Sequence, residues 1–258
     1  MRGRRVLGSA VLLTVLVSVS LVFGLGVVDI TRLVSTPAAP ASGPTTVFVD
    51  PSAVIDDTKQ AGSYVEIHID ISDVTDLYAW QVNITWDPDV LNFTRIVSYG
   101  DFLAQTLSPD GTTRIYDIFD VSNDTGYAAI AESILGDVSG IPGPDSGRLV
   151  TIEFNVVGYG ATDLHISAGG NLPTTLLDSL IGSITIDATA DGYFRNLYPG
   201  DITPDKYVGS GDAGVLNGAY GTWRGDPLYV READLDDDTY IGSADAAVLN
   251  GAYGTTYP

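Results

Sequence analysis

The residues best suited to chemistry are the aspartates of DLDDDTYIGSAD, a twelve-residue segment at positions 234–245. Carboxylates packed this closely repel one another unless a cation neutralises them. Side-chain oxygens stand at the first, third, fifth and twelfth positions, and the seventh residue of such a loop turns its carbonyl toward the same centre. Because calcium accepts six to eight oxygen ligands in a flexible geometry, this EF-hand spacing predicts a calcium site. The predicted ligands are Asp234, Asp236, Asp238, the carbonyl oxygen of Tyr240, and Asp245.

The same pattern occurs once more, in DITPDKYVGSGD at positions 201–212. The two loops start 33 residues apart, and the segment VLNGAYGT recurs unchanged after each of them. An unchanged repeat of this length indicates an internal duplication and predicts a second calcium site. The predicted ligands of this first loop are Asp201, Thr203, Asp205, the carbonyl oxygen of Tyr207, and Asp212.

The two loops are predicted to bind calcium unequally. The first has a neutral Thr203 where the second has a carboxylate, and Lys206 adds a positive charge, so the second loop should fill first. Position six of an EF-hand loop has a left-handed backbone that favours glycine, so Lys206 and Thr239 should each cost about 1 kcal/mol. At position eight, Val208 and Ile241 are expected to pair with each other and set the loops back to back.

Each loop is predicted to lead into one short helix, Ala213–Tyr220 and Ala246–Tyr253, ended by Gly221 and Gly254. Proline and glycine before each loop exclude a full entering helix. Residues 199–258 form a small core with no disulfide, because the chain contains no cysteine. Calcium is therefore expected to supply much of the folding free energy of this α-helical module.

The chain before the duplication has a β pattern from residue 46 to residue 190. YVEIHIDI and WQVNITW alternate apolar and polar residues, and turn signals separate such runs. The predicted fold is mainly β: an antiparallel jelly-roll β-sandwich at 46–190, a linker at 191–198, and the small calcium-binding module at 199–258.

The N-terminal segment predicts export. MRGRR is followed by residues 6–28 without a charge, a stretch long enough to cross a membrane as a helix. Residues 1–28 are therefore either a cleaved signal peptide or a retained membrane anchor, and residues 29–45 are a Pro/Ala/Ser-rich spacer. Both readings place the remainder outside the cell or on its surface.

Composition and missing motifs exclude several functions. A formal charge of −21 with only 12 Lys and Arg argues against nucleic acid as a partner. Without cysteine there is no thiolate nucleophile, and the two histidines lie in no recognisable catalytic motif, so no enzyme activity is expected. Three N-glycosylation sequons predict a glycoprotein, at Asn83, Asn92 and Asn123.

The duplicated loop-plus-helix repeat, over residues 200–258, resembles a dockerin domain (type I-like) of cellulosome-type assemblies. The stretch VTDLYAWQVNITWDPDVLNFTRI is similar to the pattern of a cohesin domain, the receptor for dockerins. The resemblance implies calcium-dependent protein–protein docking. Many cellulosomal dockerins have Lys-Arg where this chain has Asn217-Gly218 and Asn250-Gly251, which argues against a standard cellulosomal cohesin as the partner. The partner-binding residues that the resemblance implies are Ser210, Gly211, Leu216, Asn217, Ser243, Ala244, Leu249 and Asn250.

A chain that resembles a cohesin in one part and a dockerin in another could bind other copies of itself. A linker of residues 191–198 spans at most about 26 Å, which favours head-to-tail association between copies, into strings or filaments. One alternative is a carbohydrate-binding sandwich whose dockerin tail attaches it to a polysaccharide-degrading complex. Another is a surface-layer or adhesion subunit that calcium only stiffens. The carbohydrate-binding alternative requires an exposed aromatic row, with Tyr64, Tyr78, Tyr99, Tyr127 and Tyr159 as candidates.

Overall fold

The computed structural model describes residues 43–103, 114–136, 138–169 and 172–258, without the side chains of 114–119. The predicted signal peptide or anchor (1–28) and most of the spacer (29–45) lie outside these residues. Among the described residues, no helix is both long and apolar enough to span a membrane.

The first sheet of the sandwich has five strands. Its spatial order is β12-β1-β3-β8-β5, and the central pairs β1–β3, β3–β8 and β5–β8 are antiparallel. These strands are β1 (Thr46–Asp50), β3 (Tyr64–Val74), β5 (Leu91–Tyr99), β8 (Asp145–Val156) and β12 (Ala188–Ala190).

The second sheet has eight described strands. Its main path runs β11-β10-β4-β9-β13-β2, and β7 joins β4 to β6. Two pairs in the sandwich, β1–β12 and β2–β13, are parallel, so the predicted all-antiparallel arrangement was wrong at these edges. These strands are β2 (Val54–Ile55), β4 (Leu77–Thr85), β6 (Arg114–Ser122), β7 (Tyr127–Ile134), β9 (Ala161–Ile166), β10 (Thr175–Asp178), β11 (Ser183–Ile184) and β13 (Gly192–Arg195).

The predicted alternation of buried and outward side chains is confirmed in the central strands. On β3, residues 65, 67, 69 and 71 are buried, whereas Glu66 is exposed and His68 and Asp70 are half-buried. Trp80 and Trp86 are buried in the same core. The sandwich is thus held together by one apolar layer between two sheets.

The segment predicted to be a linker is instead partly a strand. Residues 192–195 form β13, pair with β9 and are buried throughout. Phe194 enters the sandwich core, while the hydroxyl of Tyr193 lies 3.4 Å from Glu232 of the C-terminal module. Because β13 is covered on both faces, it has no alternating pattern, and nothing in the sequence predicted a strand there.

The C-terminal module contains helices α1 (Ser210–Ala219) and α2 (Ser243–Ala252). Both begin three residues earlier than predicted, inside the loops. The cause is the aspartate at position twelve, whose carboxylate accepts the N–H of the residue before the helix. Gly209 N donates to Asp212 at 2.7 Å, and Gly242 N donates to Asp245 at 2.7 Å.

The two repeats are joined by a reciprocal backbone clasp. Val208 and Ile241 share one apolar core, but they do not form the predicted pair with each other. Each residue forms backbone hydrogen bonds with the segment that follows the helix of the other repeat. These bonds hold the two repeats together. The bonds are Val208 N to Thr255 O (3.0 Å), Gly254 N to Val208 O (2.8 Å), Ile241 N to Thr222 O (3.0 Å) and Gly221 N to Ile241 O (2.8 Å).

Candidate metal centre

Three predicted ligands of the second loop converge. Carboxylate oxygens of Asp234, Asp236 and Asp245 all lie within 4.8 Å of one another. Asp234 and Asp245 are buried, and Asp236 is exposed at the mouth of the cluster. Three negative charges at this distance, two of them out of water, require a cation or protons for stability.

Backbone N–H groups hold the carboxylates of the second loop in place. Asp234 accepts from Asp238 N at 3.1 Å and from Thr239 N at 3.0 Å, and Asp238 accepts from Tyr240 N at 2.8 Å. Thr239 has φ of 74°, the left-handed conformation that the template requires at position six. Asp238, at the fifth position, is thus bonded to Asp234 through its backbone, but its carboxylate is not one of the three that converge.

The first loop repeats two of these backbone hydrogen bonds, but its aspartates form no such converging group among the described residues. Lys206 N donates to Asp201 at 2.8 Å, and Tyr207 N donates to Asp205 at 2.9 Å. Lys206, at position six, has φ of 64°. Both copies therefore have a residue other than glycine in the left-handed conformation, and its cost of about 1 kcal/mol per loop stays a prediction.

Asp212, at position twelve of the first loop, is held ionised by donors. Burial opposes its charge, but N–H groups of Gly209, Thr203 and Ile202 and the Thr203 hydroxyl lower the pKa of Asp212 below its usual value. The hydroxyl donates to the Oδ1 of Asp212 at 2.9 Å. Thr203 thus donates to the carboxylate of Asp212, a predicted ligand, whereas the second loop has the carboxylate of Asp236 at the position of Thr203.

Asp201 has one oxygen without a partner. Its Oδ2 accepts hydrogen bonds from Lys206 N at 2.8 Å and from the hydroxyl of Tyr159 at 2.7 Å, whereas its buried Oδ1 has none. Burial raises the pKa of Asp201, and so does repulsion from the carboxylate of Asp212. A calcium ion in the loop would complete Oδ1, so the residues present fit that ion.

Like charges dominate the exposed side of the second loop. Burial raises the pKa of Asp236, and so does repulsion from the carboxylates of Asp245, Asp238 and Asp234. A divalent cation between these carboxylates would replace their mutual repulsion by attraction to the ion. The second loop therefore carries the greater electrostatic demand for an ion.

A tyrosine hydroxyl binds the first aspartate of each loop, which the sequence analysis missed. Tyr159, from the sandwich turn between β8 and β9, donates to Asp201, and Tyr229, from the module, donates to Asp234. Burial raises the pKa of Tyr159 far above its ordinary value and that of Tyr229 to about 12, so both hydroxyls keep their protons. Tyr229 lies five residues before its loop, but nothing local marks Tyr159.

Two of the predicted partner-binding residues are not available for docking. Leu216 and Leu249 are 5% and 4% exposed and belong to the core between the two helices. The helical period turns these leucines inward, toward the module's other repeat. The remaining six positions are exposed: Ser210, Gly211, Asn217, Ser243, Ala244 and Asn250.

At two of the three sequons the amide nitrogen donates one hydrogen bond to the backbone, which leaves its second hydrogen free for a glycan. Nδ2 of Asn83 donates to the carbonyl of Leu172 at 2.8 Å. The side chain of Asn123 forms two bonds to the backbone of Phe93, at 2.8 and 3.1 Å. Asn92 is half-buried on β5.

The aromatic row required by the carbohydrate-binding alternative does not form among its candidates. Only Tyr64 is exposed, at 55%, whereas Tyr78 is buried and Tyr159 packs on Tyr198. Tyr99 and Tyr127 are half-buried. Carbohydrate stacking needs several open ring faces, so these tyrosines give it little support.

Comparison with known proteins finds likenesses among solved structures only. No protein-family model matches the chain, and no curated protein matches it. The chain is similar to the second type II cohesin module from the adaptor ScaA scaffoldin of Acetivibrio cellulolyticus, with 18% identity over 58% of this chain and 90% of that one, and a TM-score of 0.46. It is also similar to a non-cellulosomal cohesin from the hyperthermophilic archaeon Archaeoglobus fulgidus, with 17% identity, 59% and 91% coverage and a TM-score of 0.39.

Proposed function

We propose that the chain is a non-catalytic, exported assembly protein whose C-terminal module binds two calcium ions and docks onto a β-sandwich of another molecule. The observation that carries the proposal is the group of three converging carboxylates in the second loop, together with a buried, unpartnered oxygen of Asp201 in the first. Residues 1–28 would direct export, to the exterior or the cell surface.

Calcium in these loops would have a structural role. It would neutralise the carboxylates at positions one, three, five and twelve and supply folding free energy to a module with a small apolar core. The chain's own residues orient the ligands: the left-handed Lys206 and Thr239 turn the loops inward, and the tyrosine hydroxyls hold the first aspartates.

The exposed first and last turns of each helix provide the proposed docking surface. Ser210, Gly211 and Asn217 on α1 correspond to Ser243, Ala244 and Asn250 on α2, and all six side chains or backbones are open to solvent. The duplication therefore offers two near-equivalent docking surfaces, each small and uncharged. A partner with a flat polar face fits such a surface better than one with a deep apolar pocket.

Other copies of the chain are the favoured partners. β13 leads directly into the module, and Arg195 on β13 bonds to the module's backbone, so the module is attached to the end of its own sandwich. Its exposed helices therefore cannot fold back onto the sheets of the same chain. Docking onto a second copy is head-to-tail and open-ended, which produces strings or filaments.

Two measurements on the full chain test this function. Calorimetric titration is expected to show two calcium sites, the second loop tighter, and Asp236→Ala should weaken the tighter one. Light scattering is expected to show a mass that rises with millimolar calcium and falls on chelation. Absence of calcium binding would refute the metal sites, and a mass that remains monomeric throughout would refute self-assembly.

A further inference from the structure

The hydroxyl of Tyr159 connects three parts of the molecule. Tyr159 belongs to the sandwich, in the turn between β8 and β9, and its hydroxyl donates to Asp201 at 2.7 Å. The same oxygen accepts the backbone N–H of Tyr198, at 2.8 Å, where the chain enters the module. One side chain of the sandwich thus orients both the entry of the module and a predicted metal ligand.

A stack of tyrosines extends this contact to the C-terminus. The rings of Tyr159 and Tyr198 lie 5.3 Å apart, and those of Tyr198 and Tyr257 stack at 4.1 Å and 15°. Tyr257 N donates to the carbonyl of Lys206 at 2.8 Å, and the Lys206 ammonium lies 5.5 Å from the ring centre of Tyr159. The left-handed residue of the first loop is therefore enclosed between sandwich and C-terminus.

The second loop lacks this dependence. Its first aspartate, Asp234, receives its hydroxyl from Tyr229, a residue of the module itself. The sandwich reaches the second loop through the guanidinium of Arg195, which bonds to the carbonyl oxygen of Asp234 rather than to its carboxylate. Among the described residues, a sandwich side chain binds a predicted ligand carboxylate only in the first loop.

We propose that Tyr159 is a positioning residue of the first calcium loop, and that calcium binding there is coupled to the seating of the module on its own sandwich. The inference rests on the proposed function of the loops as calcium sites. By holding Oδ2 of Asp201, the hydroxyl leaves the unpartnered Oδ1 as the oxygen for the ion. An ion that immobilises Asp201 in turn strengthens the contact with Tyr159, because coupling between two binding events is reciprocal.

The coupling assigns a mechanical role to the first site. When calcium is bound, sandwich and module form one stiff unit, so a string of copies would have fixed angles between its members. Removal of calcium from the first loop would loosen each joint, while the second loop retains its own internal tyrosine. Calcium would then control the stiffness of the assembly as well as its formation.

The test compares Tyr159→Phe with Tyr229→Phe in the full chain. Calcium affinities come from calorimetry, and seating comes from hydrogen exchange of residues 158–161 and 192–200. Tyr159→Phe is expected to weaken the first site about tenfold, the effect of losing one hydrogen bond to a charged group, and to accelerate exchange at both segments. Tyr229→Phe is expected to weaken the second site to a similar extent and to leave exchange at those segments unchanged.

The unmodified chain provides a measurement that does not depend on the folding of a variant. Chelation should accelerate exchange of residues 158–161 and 192–200 more than exchange of β3 and β8. Hydrogen exchange at these segments that does not change on chelation would overturn the coupling, and so would an unchanged calcium affinity of the first site in Tyr159→Phe. Neither result would contradict the calcium sites themselves. Failure of the unmodified chain to bind calcium at either loop would overturn the proposed function and the coupling together.

Discussion

Nη1 of Arg195, on the sandwich strand β13, lies 3.3 Å from the carbonyl oxygen of Asp234, the first residue of the second metal loop. The same nitrogen lies 3.3 Å from the carbonyl oxygen of Glu232. Arg195 is only 4% exposed, so the backbone of the module rather than water accepts the hydrogen bonds of its Nη1, while its buried Nε has no partner. A sandwich arginine thus supports the entry into a loop of the neighbouring module.

Replacing Arg195 by alanine is expected to destabilise the chain strongly. The change leaves two carbonyl oxygens without their donor and opens a space beneath the second loop, at a cost of about 2–4 kcal/mol in the free energy of unfolding. Denaturant titration measures it. The matched control is Arg95→Ala: Arg95 bonds to Glu153 at 2.9 Å on an exposed sheet face, and its removal should change little. Equal effects of the two changes would contradict the supporting role of Arg195.

Replacing Asp236 by asparagine should stabilise the calcium-free chain. Burial and the neighbouring carboxylates raise the pKa of Asp236 in the folded state. A carboxyl with a raised folded pKa contributes stability below its unfolded pKa, about 3.9, and loses that contribution as pH rises through the raised value. At pH 7 in chelator, the melting temperature should therefore rise by about 1 °C.

The same variant provides its own controls. Toward pH 3, the carboxyl is protonated in both states and the gain from asparagine should disappear. With calcium present the sign should reverse, because the ion loses a charged ligand. A melting temperature that is unchanged at pH 7 in chelator would show that the carboxylates of the second loop do not repel one another.

The reciprocal clasp predicts selective effects for two glycines. Gly254 and Gly221 have φ of 85° and 86°, and a Cβ at either position would meet no atom within 4 Å. Alanine therefore adds backbone strain of about 1 kcal/mol without a clash. Gly254→Ala should weaken calcium binding at the first loop, because Gly254 bonds to Val208, and Gly221→Ala should weaken it at the second, through Ile241. Calorimetry would detect the opposite assignment if each glycine served its own repeat.

Two variants at the Asn123 sequon distinguish the role of Asn123 as a glycosylation site from its role in hydrogen bonding. Asn123→Ala removes both bonds to the backbone of Phe93 and should cost about 1–2 kcal/mol in the free energy of unfolding. Thr125→Ala destroys the same sequon but leaves those bonds intact, so it should have little effect. Intact-mass measurement of protein from a glycosylating host tests the sequon itself. A mass without added sugar at Asn123 would contradict the predicted glycosylation.

Local patterns predicted those parts of the structure that depend on residues near one another in the chain. The alternation in YVEIHIDI predicted which side chains of β3 are buried, since a strand turns every second residue to the same face. The EF-hand spacing predicted the left-handed backbone at Lys206 and Thr239, since the aspartates that impose it lie within the same loop. The ligand sets themselves remain predictions.

Contacts between segments far apart in the sequence could not be predicted from local patterns. The strand at residues 192–195 has no alternation because the sandwich covers one face and the module the other. The pairing of Val208 with Thr255 crosses the two repeats, although symmetry of sequence suggested Ile241. In both places the outcome depends on which surfaces meet, and local patterns do not encode that.

The sequence by itself determined the mainly β fold with two short C-terminal helices, the duplication, and the spacing of the carboxylates. Only the tertiary structure decided that Tyr159, 42 residues before Asp201, supplies a hydrogen bond to that carboxylate, and that Arg195 supports the other loop. The physical reason is the separation along the chain between the residues that interact. Alternation, capping and loop geometry arise from hydrogen bonds over a few residues, whereas these side chains meet their partners only after the sandwich and the module have packed together.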